Sequence, residues 1–482
     1  MNTTARDRKD SRAGLHPALG AFDFTLLVVG AVIGADVYIV AAMGAAFLGP
    51  AQLMAWLAGG FLAALIALAF VQCAAISPEV GGSYAYTRNA WGSSVGFAAG
   101  WALYVGEWVA LPVFPIAFLN YLGYFLPGLS ANEGVLVKVL LIAAVTGINI
   151  ISVRAGGRAN DALTIAKLLP LGLLILAGIA FVAARPGIAS AHLTPFAPLG
   201  WGGFGSAVLL IFWAYAGFEL AVLPATEIKE PRRTLPRGLL LGMAIATAFY
   251  LLTSFAVVVA LPWEVAAASP RPLTDAMGAM LPAFGLSAEA GFVLMSVGAL
   301  VSIVGVYDVF TLSLARLSYA LAVDGLFPPW FARIHPRFQT PYLGLLFQAG
   351  SAVVAALLFN LTNLIAIAVF FLGICYVLTA LSALRLVARF PERALHLPAI
   401  RFLLVLGAIS GAYLSAQAPL PLIEIGVVVM AAGFVLFLWR KGAWQEAASF
   451  RATLHQDELQ FERWARARER WLLRFARHLL GS

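Results

Sequence analysis

The sequence predicts an all-α integral membrane protein, and three observations carry that prediction. Of the 482 residues, 62% are hydrophobic and only 11% are charged, too few charges to cover a soluble globule of this size. The apolar residues gather into about twelve stretches, on a ruler of roughly 20 residues for a helix that crosses a bilayer. The lysines and arginines between these stretches fall mostly on one side of the implied membrane.

In chain order the stretches are 22–48, 51–76, 94–126, 135–151, 161–184, 203–225, 237–262, 286–321, 342–358, 363–385, 401–416 and 420–439. The polar residues 1–21 lack the tripartite pattern of a cleaved signal, so the first stretch is expected to persist as a transmembrane helix. The third and eighth stretches are overlong, which predicts tilt or additional loop helix. Arg6, Arg8, Lys9 and Arg12, then Arg88, Arg154 with Arg158, Lys229 with Arg232, Arg233 and Arg237, Arg333 with Arg337, and Arg385 with Arg389 and Arg393 share one side. Arg185 and Arg271 mark the other. Positive charge is retained on the cytoplasmic side, so a multi-pass protein of the cytoplasmic (inner) membrane with both termini in the cytoplasm is expected. The net charge of +8 is then a topology signal and not the mark of a nucleic-acid partner.

From residue 440 to 482 the chain turns polar. Phe461, Trp464, Trp471, Leu472, Phe475 and Leu479 recur at helical spacing among Arg463, Arg466, Arg468, Arg470, Arg474 and Arg477. Such a basic amphipathic helix either lies on the anionic leaflet or packs on protein. The two cysteines, Cys73 and Cys375, sit in apolar runs and offer neither a disulfide framework nor a metal-ligand spacing. Walker A, nucleophile-elbow and zinc-helix motifs are missing from the sequence, so no metal, no cofactor and no enzymatic chemistry are expected.

Function is expected where apolar helices are interrupted, because a freed backbone group at membrane depth must face protein or a water-lined cavity. The first interruption is "GAVIGAD", residues 30–36, which has little propensity for a robust helix. The second is "FWAYAGFELAVLPATE", residues 212–227, where Gly217 stands beside Glu219 and Pro224 disrupts the helix further on. These are the first and sixth stretches, corresponding members of two five-helix halves. Interrupted helices at matching positions point to an inverted-repeat secondary transporter with its site near the bilayer midplane.

The segment "FWAYAGFELAVLPATEIKEPRRTLPRGL" resembles the amino acid-polyamine-organocation (APC) transporters, amino acid permease type, as do "SPEVGGSYAYTRNAWG" (77–92) and "RLSYALAVDGLFPPWFARIHPRFQTP" (316–341). The resemblance implies a five-plus-five, leucine-transporter-like core over 22–385, with broken helices 1 and 6, and residues 401–439 as two added helices. It also implies that a substrate carboxylate meets the backbone at Ile33, Gly34 and Ala35, and that a substrate amine meets the carbonyls of Trp213, Ala214 and Ala216. Helix ends favour these partners independently, an N-terminus attracting anions and an unwound C-terminal end attracting cations. Lys167, in "ALTIAKLLPL", matches the lysine to which proton-coupled relatives assign coupling. Tyr215, Gly217, Phe218 and Glu219 belong to the span-6 motif and are expected to gate or hold the break.

One residue departs from the family pattern. Where G-[ST]-G-I-F is usual, this chain has Gly34-Ala35-Asp36-Val37-Tyr38. Three roles for Asp36 stand open: an N-cap of the outer half of the first span, a counter-charge for a substrate ammonium, or a partner of Lys167. Two further acids lie within apolar stretches. Glu107 is expected to line the substrate cavity or to hydrogen bond between helices, and Asp308 to serve an interior or cavity role. The expected function is secondary active transport of an amino acid or related amine, polyamines included, by proton symport. An ion-independent exchanger, a transporter-like nutrient sensor and a channel are the alternatives, and the oligomeric state is not set by these patterns.

Overall fold

The computed structural model describes residues 20–440, apart from 78–80, 152–156, 222–227 and 229. Helix dominates, and no strand occurs among the described residues. Both tails, 1–19 and 441–482 with nearly all of the amphipathic helix expected at 440–482, lie outside the described residues, as do Arg154 and Lys229. Seven helices are each long and apolar enough to cross a membrane, or eight if a bent pair is taken as one span, among the described residues.

The first stretch is two pieces: α1 (Ala21–Val32) and α2 (Asp36–Val40), separated at 33–35. After turns comes α3 (Gln52–Ile76), then a short α4 (Gly82–Trp91) where the sequence suggested only a connection. The overlong third stretch resolves into α5 (Ser93–Ala110) and α6 (Val113–Leu122), interrupted at Pro112, whose missing N–H removes a helical hydrogen bond. Next come α7 (Ala131–Ile151) and α8 (Gly157–Ala184). The sixth stretch is again two pieces, α9 (Phe204–Phe212) and α10 (Phe218–Ala221), joined by a 3-10 turn at Trp213–Tyr215. The remainder comprises α11 (Pro231–Ala260), α12 (Pro272–Met280), α13 (Ala288–Val323), α14 (Tyr342–Leu358), α15 (Leu361–Arg389) and α16 (Ile400–Ala416), with a last apolar helix, α17 (Leu420–Arg440). The overlong eighth stretch, α13, is one helix of 36 residues, about 54 Å at 1.5 Å per residue. It therefore outreaches a hydrocarbon core of about 30 Å.

Packing sorts these helices into two groups. Helix α1 packs on α11 and α10, while α3 packs on α11 and α9, so the first, second, sixth and seventh stretches form one bundle. Helices α7, α13 and α14 contact one another, and α13 also contacts α5 and α6, giving a scaffold from the third, fourth, eighth and ninth. Four members of the first half, the first to the fourth stretches, thus find their counterparts from the second half in their own group, the arrangement expected of repeated halves. Helix α15 joins the groups by packing on α3 and α5, and on α16 behind. Small residues permit that last contact: a Cβ on Gly373 would stand 2.6 Å from the Gly411 carbonyl oxygen, and one on Gly411 would stand 2.8 Å from that of Gly373.

Candidate substrate site

The two interruptions face each other. In α1 the helix ends at Val32, and Ile33 turns extended with φ −76° and ψ 100°. In the sixth stretch the 3-10 turn gives way to extended Ala216 and then Gly217 at φ 110°. A Cβ on Gly217 would also lie 2.7 Å from the Ala31 carbonyl oxygen, so only glycine satisfies both the backbone angle and this approach. Glu219 steadies the start of α10, its Oε2 accepting the Gly217 amide at 3.0 Å.

A tyrosine joins the breaks. The Tyr250 hydroxyl, from α11, lies 2.7 Å from the Val32 carbonyl oxygen and 2.9 Å from that of Ala214, sharing one proton between two helix ends. Those ends carry carbonyls that no helix supplies with a partner. Tyr121 donates to the Tyr38 carbonyl at 2.6 Å, and Tyr215 to that of Trp56 at 2.7 Å. The sequence pattern did not single out Tyr250 or Tyr121. The available signal was that a buried tyrosine needs a partner for its hydroxyl, but that rule names no acceptor.

Most of the predicted residues sit at or beside these breaks. Ile33, Gly34 and Ala35 are the non-helical residues of the first break, all buried. Trp213, Ala214 and Ala216 line the second, with the Trp213 carbonyl accepting the Ala216 amide at 3.2 Å and the Ala214 carbonyl accepting from Tyr250. Ala35 is the N-cap of α2, and Asp36 stands one residue inside, in its first turn. The Asp36 carboxylate folds back over the break, with Oδ2 3.0 Å from the place a Cβ on Gly34 would take. Phe218 packs with Phe70 and Tyr376, and Tyr215 with Trp56 and Tyr250. Asp308 is drawn away from this centre, since Asn149 of α7 donates to its Oδ1 at 2.9 Å and ties α13 to α7. Lys167 lies on α8, with its side chain outside the described residues.

A cavity of about 270 Å³ opens beyond the breaks, lined by Ile39, Met43, Phe47, Asn120, Tyr121 and Leu210 among others. None of the predicted substrate residues lines it. The Tyr121 to Tyr38 hydrogen bond stands between this vestibule and the breaks. The opposite end of the bundle is latched by polar contacts. There Tyr84 of α4 donates to Asp324 Oδ2 at 2.6 Å, Arg88 reaches the same oxygen at 3.6 Å, and the Arg88 guanidinium lies over the Tyr84 ring. Burial first, and then the Asp324 carboxylate, raise the Tyr84 hydroxyl pKa, so it remains a donor. Arg440 at the end of α17 adds a bond to the neighbouring Gly325 carbonyl at 3.1 Å. Among the described residues no group of three or more metal-ligating side chains is present.

Broken helices meeting at the centre of an all-α bundle, with a vestibule at one end and a latch at the other, define a multi-pass membrane transporter. The match to known families agrees: residues 19–441 fit the amino acid permease family, and the chain belongs to it. It is 31% identical to the serine/threonine exchanger SteT of Bacillus subtilis (strain 168), over 83% of this chain and 90% of that protein. It is also 27% identical to the branched-chain amino acid permease BcaP of the same organism, over 69% of this chain and 73% of that one. A methylthioribose transporter from that organism is 29% identical, over 68% and 72% respectively.

Proposed function

We propose that this protein is a secondary active transporter, not an enzyme, that moves an amino acid or related amine across the cytoplasmic membrane by alternating access. The carrying observation is the meeting of the two breaks, where Gly217 abuts Ala31 and Tyr250 holds both helix ends. Backbone groups released at such a junction supply donors on one side and acceptors on the other, the complement of an amino acid's carboxylate and amine. Ile33, Gly34 and Ala35 take the carboxylate in this proposal, and the second carbonyl lone pairs around Trp213, Ala214 and Ala216 take the amine. Asp36, folded over Gly34, biases the site toward a ligand with exposed positive charge. Protons drive accumulation, with Lys167 as a coupling group, and both termini face the cytoplasm.

Purified protein in proteoliposomes tests this. Labelled serine, leucine, arginine and putrescine are offered with and without an inward proton gradient, and at least one is expected to concentrate inside. Absence of saturable uptake for every member of the panel, in gradient and counterflow formats alike, would refute the proposal. Sustained accumulation argues against a sensor. Obligatory exchange is the second reading, favoured by the relative described as an exchanger. It is distinguished by uptake that requires internal substrate and ignores the gradient.

A further inference from the structure

We propose that the adjoining ends of α15 and α16, with Trp91 of α4, form a binding site for the headgroup of an anionic phospholipid at the Arg88 end of the bundle. The site goes beyond the transport reading and does not depend on it.

Residues 385–401 carry four arginines, Arg385, Arg389, Arg393 and Arg401, against one acid, Glu392. Helix α15 ends at Arg389 and α16 begins at Ile400, so a short turn gathers all four at one end of two helices that pack side by side. That turn is fastened from within. The fully buried Gln72 of α3 donates to the Leu395 carbonyl at 2.9 Å, and its Oε1 accepts the Leu395 amide at 3.0 Å. Ala394 and Leu395 are buried, whereas the four arginines are exposed. The chain therefore presents its cations on a backbone that is held in place.

Aromatic rings orient three of the guanidinium groups. Arg385 lies 4.2 Å over the centre of the Trp91 ring, and Arg389 and Arg393 lie 5.3 Å and 5.4 Å from the centre of the Phe390 ring. A guanidinium on a ring face keeps its N–H donors in its own plane, free for the paired oxygens of a phosphate. Among the described residues no carboxylate pairs with Arg385 or Arg389, and Glu392 approaches Arg393 at 3.9 Å. Such an excess of positive charge beside a bilayer complements anionic headgroups. The neighbouring surface selects a lipid over a free anion. Phe402, Val405 and Ile409 are exposed on one face of α16 and lead away from Arg401, and Leu381 is exposed one turn before Arg385. A phosphate held by the arginines places its acyl chains along these apolar side chains. Because Trp91 belongs to α4, which also carries Tyr84 and Arg88, the bound headgroup braces α15 against the latch helix.

The full-length protein in detergent tests the site by thermal unfolding during titration with dioleoylphosphatidylglycerol, dioleoylphosphatidylcholine or inorganic phosphate. Phosphatidylglycerol alone should raise the midpoint, through its affinity for the folded state. Arg385→Gln combined with Arg389→Gln should weaken the apparent affinity roughly 25-fold, about fivefold for each charge. Arg333→Gln combined with Arg337→Gln removes the same charge from another loop on that side, and should leave the affinity within about twofold of wild type because distant charges are screened. Should the first variant fail to fold, Arg385→Lys with Arg389→Lys retains the charge without the planar fork, and is expected to bind roughly threefold more weakly than wild type or worse. Native mass spectrometry gives a second readout, in which wild type retains phosphatidylglycerol in preference to phosphatidylcholine. Equal stabilisation by phosphatidylcholine or by inorganic phosphate, equal loss of affinity in the two glutamine variants, wild-type affinity in the lysine variant, or no lipid preference in wild type overturns the site.

Discussion

Tyr250→Phe removes a single oxygen, yet two helix ends lose their common donor. The hydroxyl is fully buried and lies 2.7 Å and 2.9 Å from the carbonyl oxygens of Val32 and Ala214. Leaving a buried polar group without its partner costs about 1–3 kcal/mol. That corresponds to a roughly 5- to 150-fold shift in any equilibrium separating the two breaks. Tyr215→Phe is the matched control, because its acceptor, the Trp56 carbonyl, lies inside the continuous helix α3 and keeps its own helical partner. Its loss should cost only a typical net hydrogen bond, about 0.5–1.5 kcal/mol. Chemical unfolding in detergent, followed by tryptophan fluorescence, reads the difference, and uptake in proteoliposomes reads its effect on transport. Equal destabilisation by the two substitutions, with transport unchanged in Tyr250→Phe, would refute the argument that Tyr250 holds the breaks together.

The same geometry sets three further outcomes. Gly217→Ala should cost more than about 2 kcal/mol, since it places a side chain at φ 110° and against the Ala31 oxygen; expression of a normally stable, active variant would contradict this. Asp36→Asn should abolish thermal stabilisation by amines and polyamines while sparing that by zwitterionic amino acids, because a ligand raises stability only through its affinity for the folded state. Stabilisation by every ligand to the same degree in both proteins would remove Asp36 from substrate recognition. Tyr84→Phe deletes the 2.6 Å bond to Asp324, a charged hydrogen bond of about 1.5–3 kcal/mol. Alkylation of the buried cysteines Cys73 and Cys375 should accelerate roughly tenfold or more as that end opens; an unchanged rate would show that the contact is no latch.

Legibility in the sequence tracked the physics of each feature. Apolar length locates helices because the bilayer demands it, and α14 and α17 lie almost where the apolar runs did. The breaks were legible because residues 30–36 and Gly217 violate helix preference locally. The Tyr250 junction was not, since it joins Val32, Ala214 and Tyr250 from three separate apolar stretches. Asp308 illustrates the same limit: its interior place was expected from the apolar run around it, but not its bond to Asn149 of α7. Local pattern did not mark the two-residue turn at Pro112, which interrupts the third stretch while Ser93–Leu122 remains one apolar span. The Asp36 position was flagged because it broke the family pattern, but its fold back over Gly34 depends on Ala35 taking the cap, a choice of one residue that propensity does not resolve.

The latch and vestibule together give the proposed cycle its direction. At the Arg88 end, α4, the Asp324 turn and the end of α17 are tied by Tyr84, Arg88 and Arg440. At the other end, a vestibule of about 270 Å³ reaches inward as far as Tyr121. The Tyr121 to Tyr38 bond grips the backbone of α2 itself, so opening the vestibule to the breaks requires α2 or α6 to move. Glu219 sits on the far piece of the sixth stretch, where it holds the Gly217 amide. A movement of α10 therefore reaches the first stretch through the junction of Gly217 with Ala31 and the two hydrogen bonds of the Tyr250 hydroxyl. Loss of Tyr250's hydroxyl should accordingly separate two events: a bound substrate still stabilises the folded protein against heat, while accumulation in proteoliposomes falls. Parallel loss of both would place Tyr250 in the substrate site and not in the linkage between the breaks.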